Sequence, residues 1–486
     1  MSGALARAAG EDFSALAASS AASKWLAELR RAGMDDFQRL GLPAVTDEDW
    51  RYTNLSGLGR RRFQRPSGDR VPAKAGAGTE RGGSVGGEPT YALATGARAK
   101  GGRAQALAGT LVFFDGRFAP ELSSFPAAAG VVVMSLAQAL EEAPALVSPH
   151  LGSRLDTARL PLAALNTAFI EDGAFVHLAD GAGLEGRLEL VYGSSSQAGA
   201  LVCHPRNLIV CGRDSRLSVV ERYVAAGDRF TNAVTEIVMA AGARLAHAKV
   251  EAEAPGVFHL GRIEVSQGPS SRLVSHSISR GAGLARTEIR TVLDEAAEAE
   301  LHGLYLARGS RHVDHHTAIE HSAPGGRSRE RYKGIVDGEA RGVFTGRVLV
   351  AEGATGTSAH QNNRNLLLSD SAAVDTRPQL EIYNDDVACT HGATVGRLDE
   401  DALFYLRSRG LDEGEARGLL AYAFGSEVLA SLDGDHIRKE EDLALRRWLA
   451  GGGASGLGGD GGEFAAAASA EPGRGGGKAQ GAQESR

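Results

Sequence analysis

From about Ala168 to Asp399 the apolar residues of this chain alternate with polar ones, and the alternation recurs at a fixed interval. Leu188, Leu190 and Tyr192, then Leu245, His247 and Lys249, then Val348 and Val350 follow a period of two, which is the period of a strand. Turn residues break the pattern every roughly 8–14 residues. Ser215-Arg216-Leu217, Ala243-Arg244-Leu245, Ser271-Arg272-Leu273 and Ala299-Glu300-Leu301 repeat one frame, with the leucines at intervals of 28. Glu236-Ile237, Arg262-Ile263 and Glu288-Ile289 form a second ladder at intervals of 26. Strands that recur at a fixed period predict stacked coils, each too small to bury its own apolar face and each covered by its neighbours. Glycine, 64 of 486 residues, is about 13% against a usual ~7% and serves the corners of such coils. A large β-sandwich with turns of similar length is the competing arrangement.

The predicted fold class is mainly β: a β-helix (solenoid) core flanked by N-terminal and C-terminal α-helical regions. Residues 1–65 read as helical, with Trp25, Leu26 and Leu29 at three-to-four spacing, Gly33 as a stop, and Thr46 capping a helix at Asp47-Glu48-Asp49-Trp50. Residues 66–109 are a Gly/Ala-rich linker, 110–165 a connecting α/β segment and 166–400 the solenoid. Helical spacing returns in 401–450, at Leu403, Phe404 and Leu406, at Ala416, Leu419, Leu420 and Phe424, and from Arg438 to Trp448. These helices are placed either to cap the open end of the solenoid or to dock a partner. Residues 451–486 carry no apolar period and read as a disordered tail.

A net charge of −7 gives no support to nucleic acid or anionic lipid as a partner. Three cysteines exclude a disulfide framework and fit a reducing compartment. No apolar run reaches the ~18–20 residues of a membrane span, and Met1 to Ser20 lacks the basic start and apolar run of a secretory signal, so the expected setting is cytoplasmic.

The phosphate-cradling G-x-x-x-x-G-K-[ST] and paired C-x-x-C signatures are missing. Gly181-Ala182-Gly183-Leu184-Glu185-Gly186 matches G-x-G-x-x-G but precedes a strand pattern, so it reads as a corner. His312, His315, His316 and His321 invite a zinc-dependent hydrolase, yet a strand would send His315 and His316 to opposite faces. Cys203 and Cys211 read as core residues. Cys389 and His391 are two apart, so on a strand they share a face. Thiolate and imidazole together make half of a soft-metal site, and an iron–sulfur cluster usually takes four ligands. A buried cysteine beside a hydrogen-bonded histidine explains the pair equally well.

The run Val374-Asp375-Thr376-Arg377-Pro378-Gln379-Leu380-Glu381-Ile382-Tyr383-Asn384-Asp385-Asp386-Val387-Ala388-Cys389-Thr390-His391-Gly392-Ala393-Thr394-Val395-Gly396, with Leu403-Phe404-Tyr405-Leu406-Arg407-Ser408-Arg409-Gly410, resembles the SufB/SufD family of the Suf iron–sulfur cluster assembly scaffold, and within it the SufD branch. Asp47 to Thr53, His312-Val313-Asp314 and Arg341 to Gly346 resemble it too, so the likeness spans roughly residues 20–450. The resemblance implies a non-catalytic scaffold subunit that pairs with SufB through the β-helix and with the ATPase SufC through the C-terminal helices. It places Cys389 and His391 as ligands of a transient iron–sulfur cluster shared with SufB; His391, if protonated nearby, would help Cys389 toward thiolate. It places Leu403, Phe404, Tyr405, Arg409 and Phe424 on the SufC-binding side. The alternatives are an assembly partner whose cysteine never meets metal, and a β-helix enzyme acting on polysaccharide with Glu381, Asp385 and Asp386.

Overall fold

The computed structural model describes residues 3–19, 22–66, 107–195 and 199–451. The greater part of the expected linker, 67–106, and the tail from 452 onward lie outside the described residues.

The alternating segments form a two-sheet parallel solenoid. The first sheet stacks Leu107–Phe114, Arg187–Gly193, Arg216–Tyr223, Arg244–Glu251, Arg272–Ser279, Glu298–Ala307, Arg327–Val336, Thr357–Leu367 and Val387–Gly396 in that order. The second stacks Ala174–Leu178, Arg206–Cys211, Arg229–Met239, Val257–Gln267, Leu284–Leu293, His312–His321, Arg341–Val350 and Ala373–Ile382. Successive strands of the coil region alternate between the sheets, so each coil adds one rung to each. Antiparallel pairs occur at the N-terminal end, where Arg117–Phe118 and Val131–Ser135 join.

The leucine ladder holds for three rungs and then slips. Leu217, Leu245 and Leu273 lie in register, but the next rung places Ala299 beside Leu273 and Leu301 beside Ser275. On the other sheet Ile263 meets Ile289, whereas Ile237 meets Val265. The corners absorb the two-residue differences. Because side chains alternate with a period of two, a slip of two residues leaves each side chain on the same face, and Leu301 stays fully buried.

One corner repeats through the stack. Asp214, Gly242, Ser270, Ala296, Gly325 and Gly356 all adopt a left-handed backbone, with φ from 53° to 72°. Each donates its N–H to the residue just before the next coil's corner, at 2.8–3.0 Å. Glycine relieves the strain of that conformation at three of the six positions.

Helices cover both outer faces. The C-terminal helices Glu400–Ser408, Glu413–Leu429 and Asp435–Ala450 start from Asp399, whose side chain accepts from Ala402 N–H, from an Asp412/Glu415 capping box, and after Gly434. They bury Leu403, Ala421, Val428 and Leu445 against Val220, Ala248, Ile278, Leu304 and Ile335, which point outward from the first sheet. They therefore lie along the side of the solenoid. Of the two placements left open by the sequence, capping the open end is not adopted, because the apolar outer face of the first sheet receives the helices.

The N-terminal segment packs Leu5, Phe37, Trp50 and Phe63 against Phe230 and Leu260 of the second sheet. Helix Lys24–Leu40 runs through Gly33 and ends at Gly41, φ 72°. Gly33 is a contact point: a Cβ there would lie 2.8 Å from Ala164 O and Ala168 N of helix Pro161–Ala168. Gly33→Val is expected to cost about 1–3 kcal/mol in a urea titration, as overpacking of a close helix contact does. The helix expected after Thr46 is a single 3₁₀ turn, Glu48–Trp50, without a side-chain cap, and Asp47 accepts instead from Ala44 N–H at 2.9 Å. Tertiary contacts hold it: Arg286 sits 3.7 Å above the Trp50 ring, and Thr53 Oγ1 donates to Asp314 at 2.5 Å.

Candidate functional site

The solenoid ends on strand Val387–Gly396, which pairs with Thr357–Leu367 on one side. Its other edge has no neighbour among the described residues. Cys389 sits beside Ala359 and His391 beside Gln361, both of which face the buried interior. The thiol and the imidazole thus occupy adjacent inward positions of the terminal coil. Its uncovered side leaves Cys389 half-buried, packed against the apolar core, and His391 exposed.

Burial pushes the Cys389 thiol up, while a backbone hydrogen bond with Ala359 works the other way. In the chain alone, burial therefore favours the neutral thiol. Among the described residues no three His, Cys, Asp or Glu side chains gather as a metal-binding group. The pair offers two soft-metal donors, one thiol and one imidazole.

The histidine run of strand His312–His321 divides as its period requires. His315 points inward between Tyr305 and Tyr332, ring centroids 5.5 Å from each, and His321 bonds Ser328 Oγ at 2.9 Å. Burial pushes His315 down to about 3 and His321 to about 4, so both are neutral packing groups. His312 meets Thr53 Oγ1 at 2.8 Å, and His316 lies 3.1 Å from Asp314. The four are held by separate partners and do not form one centre. Burial likewise pushes the thiols of Cys203 and Cys211 up to about 12. Glu381 pairs with Arg347 at 2.6 Å on the outer face of the second sheet, apart from the turn that holds Asp385 and Asp386. Gly181 and Gly186 turn the chain at positive φ between two strands.

On the C-terminal helices, Phe404 is 76% and Tyr405 56% exposed, with Arg409 stacked 5.1 Å over the Tyr405 ring. Leu403 is buried in the helix–sheet core, and Phe424 lies half-buried under Lys333 Nζ at 4.5 Å. Internal packing occupies these two side chains, so only Phe404, Tyr405 and Arg409 of the five present themselves to a neighbour. Sequence reading missed the clasp beneath: Arg222 reaches Glu440 at 2.6 Å and Glu441 at 3.4 Å, and Arg280 reaches Glu441 at 3.3 Å. Partners some 160 to 220 positions apart leave no local signal. It also missed Gln361 and Glu330, which share the inward column of His391 and which a complete coil ladder would have found.

Fold and site together define a class: β-solenoid proteins that carry soft-metal donors on an open terminal coil. The family described as SUF system FeS cluster assembly, SufBD core domain, matches residues 193–424, and the SufBD protein N-terminal region matches 107–190. The chain belongs to the SufBD family of iron–sulfur cluster assembly proteins. A SufBD family protein of Synechocystis is 32% identical over 428 residues, covering 84% of this chain and 89% of that one. The iron–sulfur cluster assembly protein SufD of Escherichia coli is 31% identical over 429 residues, 85% and 91% of the two chains. SufD of Bacillus subtilis is 28% identical over 329 residues, 65% and 74%. No described helix is long and apolar enough to cross a membrane.

Proposed function

We propose that this chain is a non-catalytic scaffold subunit in which Cys389 and His391 supply part of the ligand set of a nascent iron–sulfur cluster. A second β-solenoid subunit, SufB, stacks on the open coil and brings the remaining ligands, and the ATPase SufC docks on the C-terminal helices at Phe404, Tyr405 and Arg409. The setting is cytoplasmic, where free thiols persist. The cluster is cargo, built here and passed on.

The observation that carries this reading is the placement of a thiol and an imidazole on adjacent inward positions of a terminal strand with one free edge. A parallel strand with unpaired N–H and C=O groups is a template for a further strand, and a partner coil laid there would close the cradle over both donors. The exposed Phe404 and Tyr405 form a separate aromatic contact, of the residue types that anchor interfaces.

Cys389→Ala and His391→Ala, each co-purified with SufB and SufC, are expected to leave the complex assembled and to lower its iron and acid-labile sulfide severalfold. Wild-type iron and sulfide content in both variants would remove the ligand role.

A further inference from the structure

The inward column below His391 runs Gln361, Glu330, Leu301. Neighbouring rungs of a sheet lie about 4.8 Å apart, so side chains of one column stack on each other. Gln361 is 3% exposed, and its Nε2 donates to Glu330 Oε2 at 2.5 Å. Its Oε1 is buried without a donor. The other interior amides are satisfied. Asn363 Oδ1 accepts from Asn365 at 2.6 Å and from Thr376 at 2.8 Å, Asn365 Oδ1 accepts from Tyr305, and Gln267 Oε1 accepts from Thr291 at 2.9 Å. Among the described residues Gln361 carries the one buried amide oxygen left without a hydrogen bond. A buried acceptor left without a donor is unfavourable, so it needs a reason.

The rung above offers one, because an imidazole ring always carries an N–H. We propose that Gln361 is the positioning residue of His391: its Oε1 accepts the N–H of one ring nitrogen and so leaves the lone pair of the other nitrogen free for iron. Glu330 acts behind it. Its oxygen accepts from Nε2 and so holds the nitrogen end of the amide toward the column below. Histidines that ligate metals are commonly oriented through their second nitrogen in this way, and losing that partner weakens metal binding about 10–100-fold. The inference rests on the reading of His391 as a cluster ligand.

The test uses the full-length chain with ¹⁵N-labelled histidine, in which the His391 ring signals are those lost in His391→Ala. One tautomer is expected to dominate in the wild type. Gln361→Met, similar in shape but without the acceptor, is expected to populate both tautomers. In the complex with SufB and SufC, Gln361→Met is expected to weaken iron retention against a chelator about tenfold. An even tautomer mixture in the wild type overturns the proposal without any variant, and so does an unchanged ratio in Gln361→Met. Normal iron content in His391→Ala would instead defeat the ligand reading, whatever the tautomer result.

Discussion

Arg206→Ala is expected to lower the stability of the chain by about 3–5 kcal/mol, the usual consequence of removing one partner of a buried ion pair. Arg206 is fully buried. Its Nε and Nη2 donate to Glu236 Oε1 at 3.0 and 2.6 Å, and its Nη1 donates to Asn166 Oδ1 and Thr167 Oγ1 at 3.0 and 3.1 Å. One guanidinium therefore ties the helix Pro161–Ala168 to two rungs of the second sheet. Glu236 also accepts from Gly152 N–H at 2.9 Å, so its carboxylate cannot retreat to water once the arginine is gone. The double variant Arg206→Met, Glu236→Leu is expected to recover most of the loss, because an apolar pair of similar volume leaves no unpaired charge. Guanidinium denaturation of the three proteins checks both statements, and a loss under about 1 kcal/mol in Arg206→Ala would contradict the first.

The second large effect depends on pH. Burial pushes Glu330 up to about 7, with the hydrogen bond from Gln361 only partly opposing it. An unfolded glutamate releases its proton near 4.3. Between those values the native state binds more protons than the unfolded state, so stability falls as pH rises through the window. At about 1.36 kcal/mol per pH unit, Glu330 contributes a loss of roughly 3 kcal/mol between pH 4 and pH 8. Glu330→Gln, which stays neutral, is expected to be more stable than the wild type at pH 8 by an amount approaching that figure. At pH 4 the two are expected to be alike. Equal stabilities at pH 8 would show that Glu330 is ionised at no expense in the native protein.

The fold was legible because a strand's period survives small changes in coil length. Leu217, Leu245 and Leu273 announced a stack, and the misplacement of Leu301 by two residues did no harm to the reading because parity decides which face is buried. The same insensitivity hid the true register, and with it the column of Gln361 and Glu330 under His391. Gly33 misled for a different reason: a helix-breaking residue is retained where a second helix approaches too closely for a side chain. The C-terminal helices were visible from spacing, but not the face they cover, since the apolar residues that receive them belong to strands 70 to 200 positions earlier. Leu403 looked like an interface residue for the same cause. Cys389 and His391 could be placed on one face from a separation of two, whereas the lack of a neighbouring coil is a property of the whole stack.

A stack of coils gains its rigidity from contacts between successive layers, so a layer in the middle is braced twice and the outermost only once. Opening a protein locally is easiest where the fewest contacts must break. The rung that bears Cys389 and His391 is the outermost, so its amide protons are the first that fraying from this end would release. Any layer added beyond it would convert the loosest rung into an interior one and quiet the two side chains it bears.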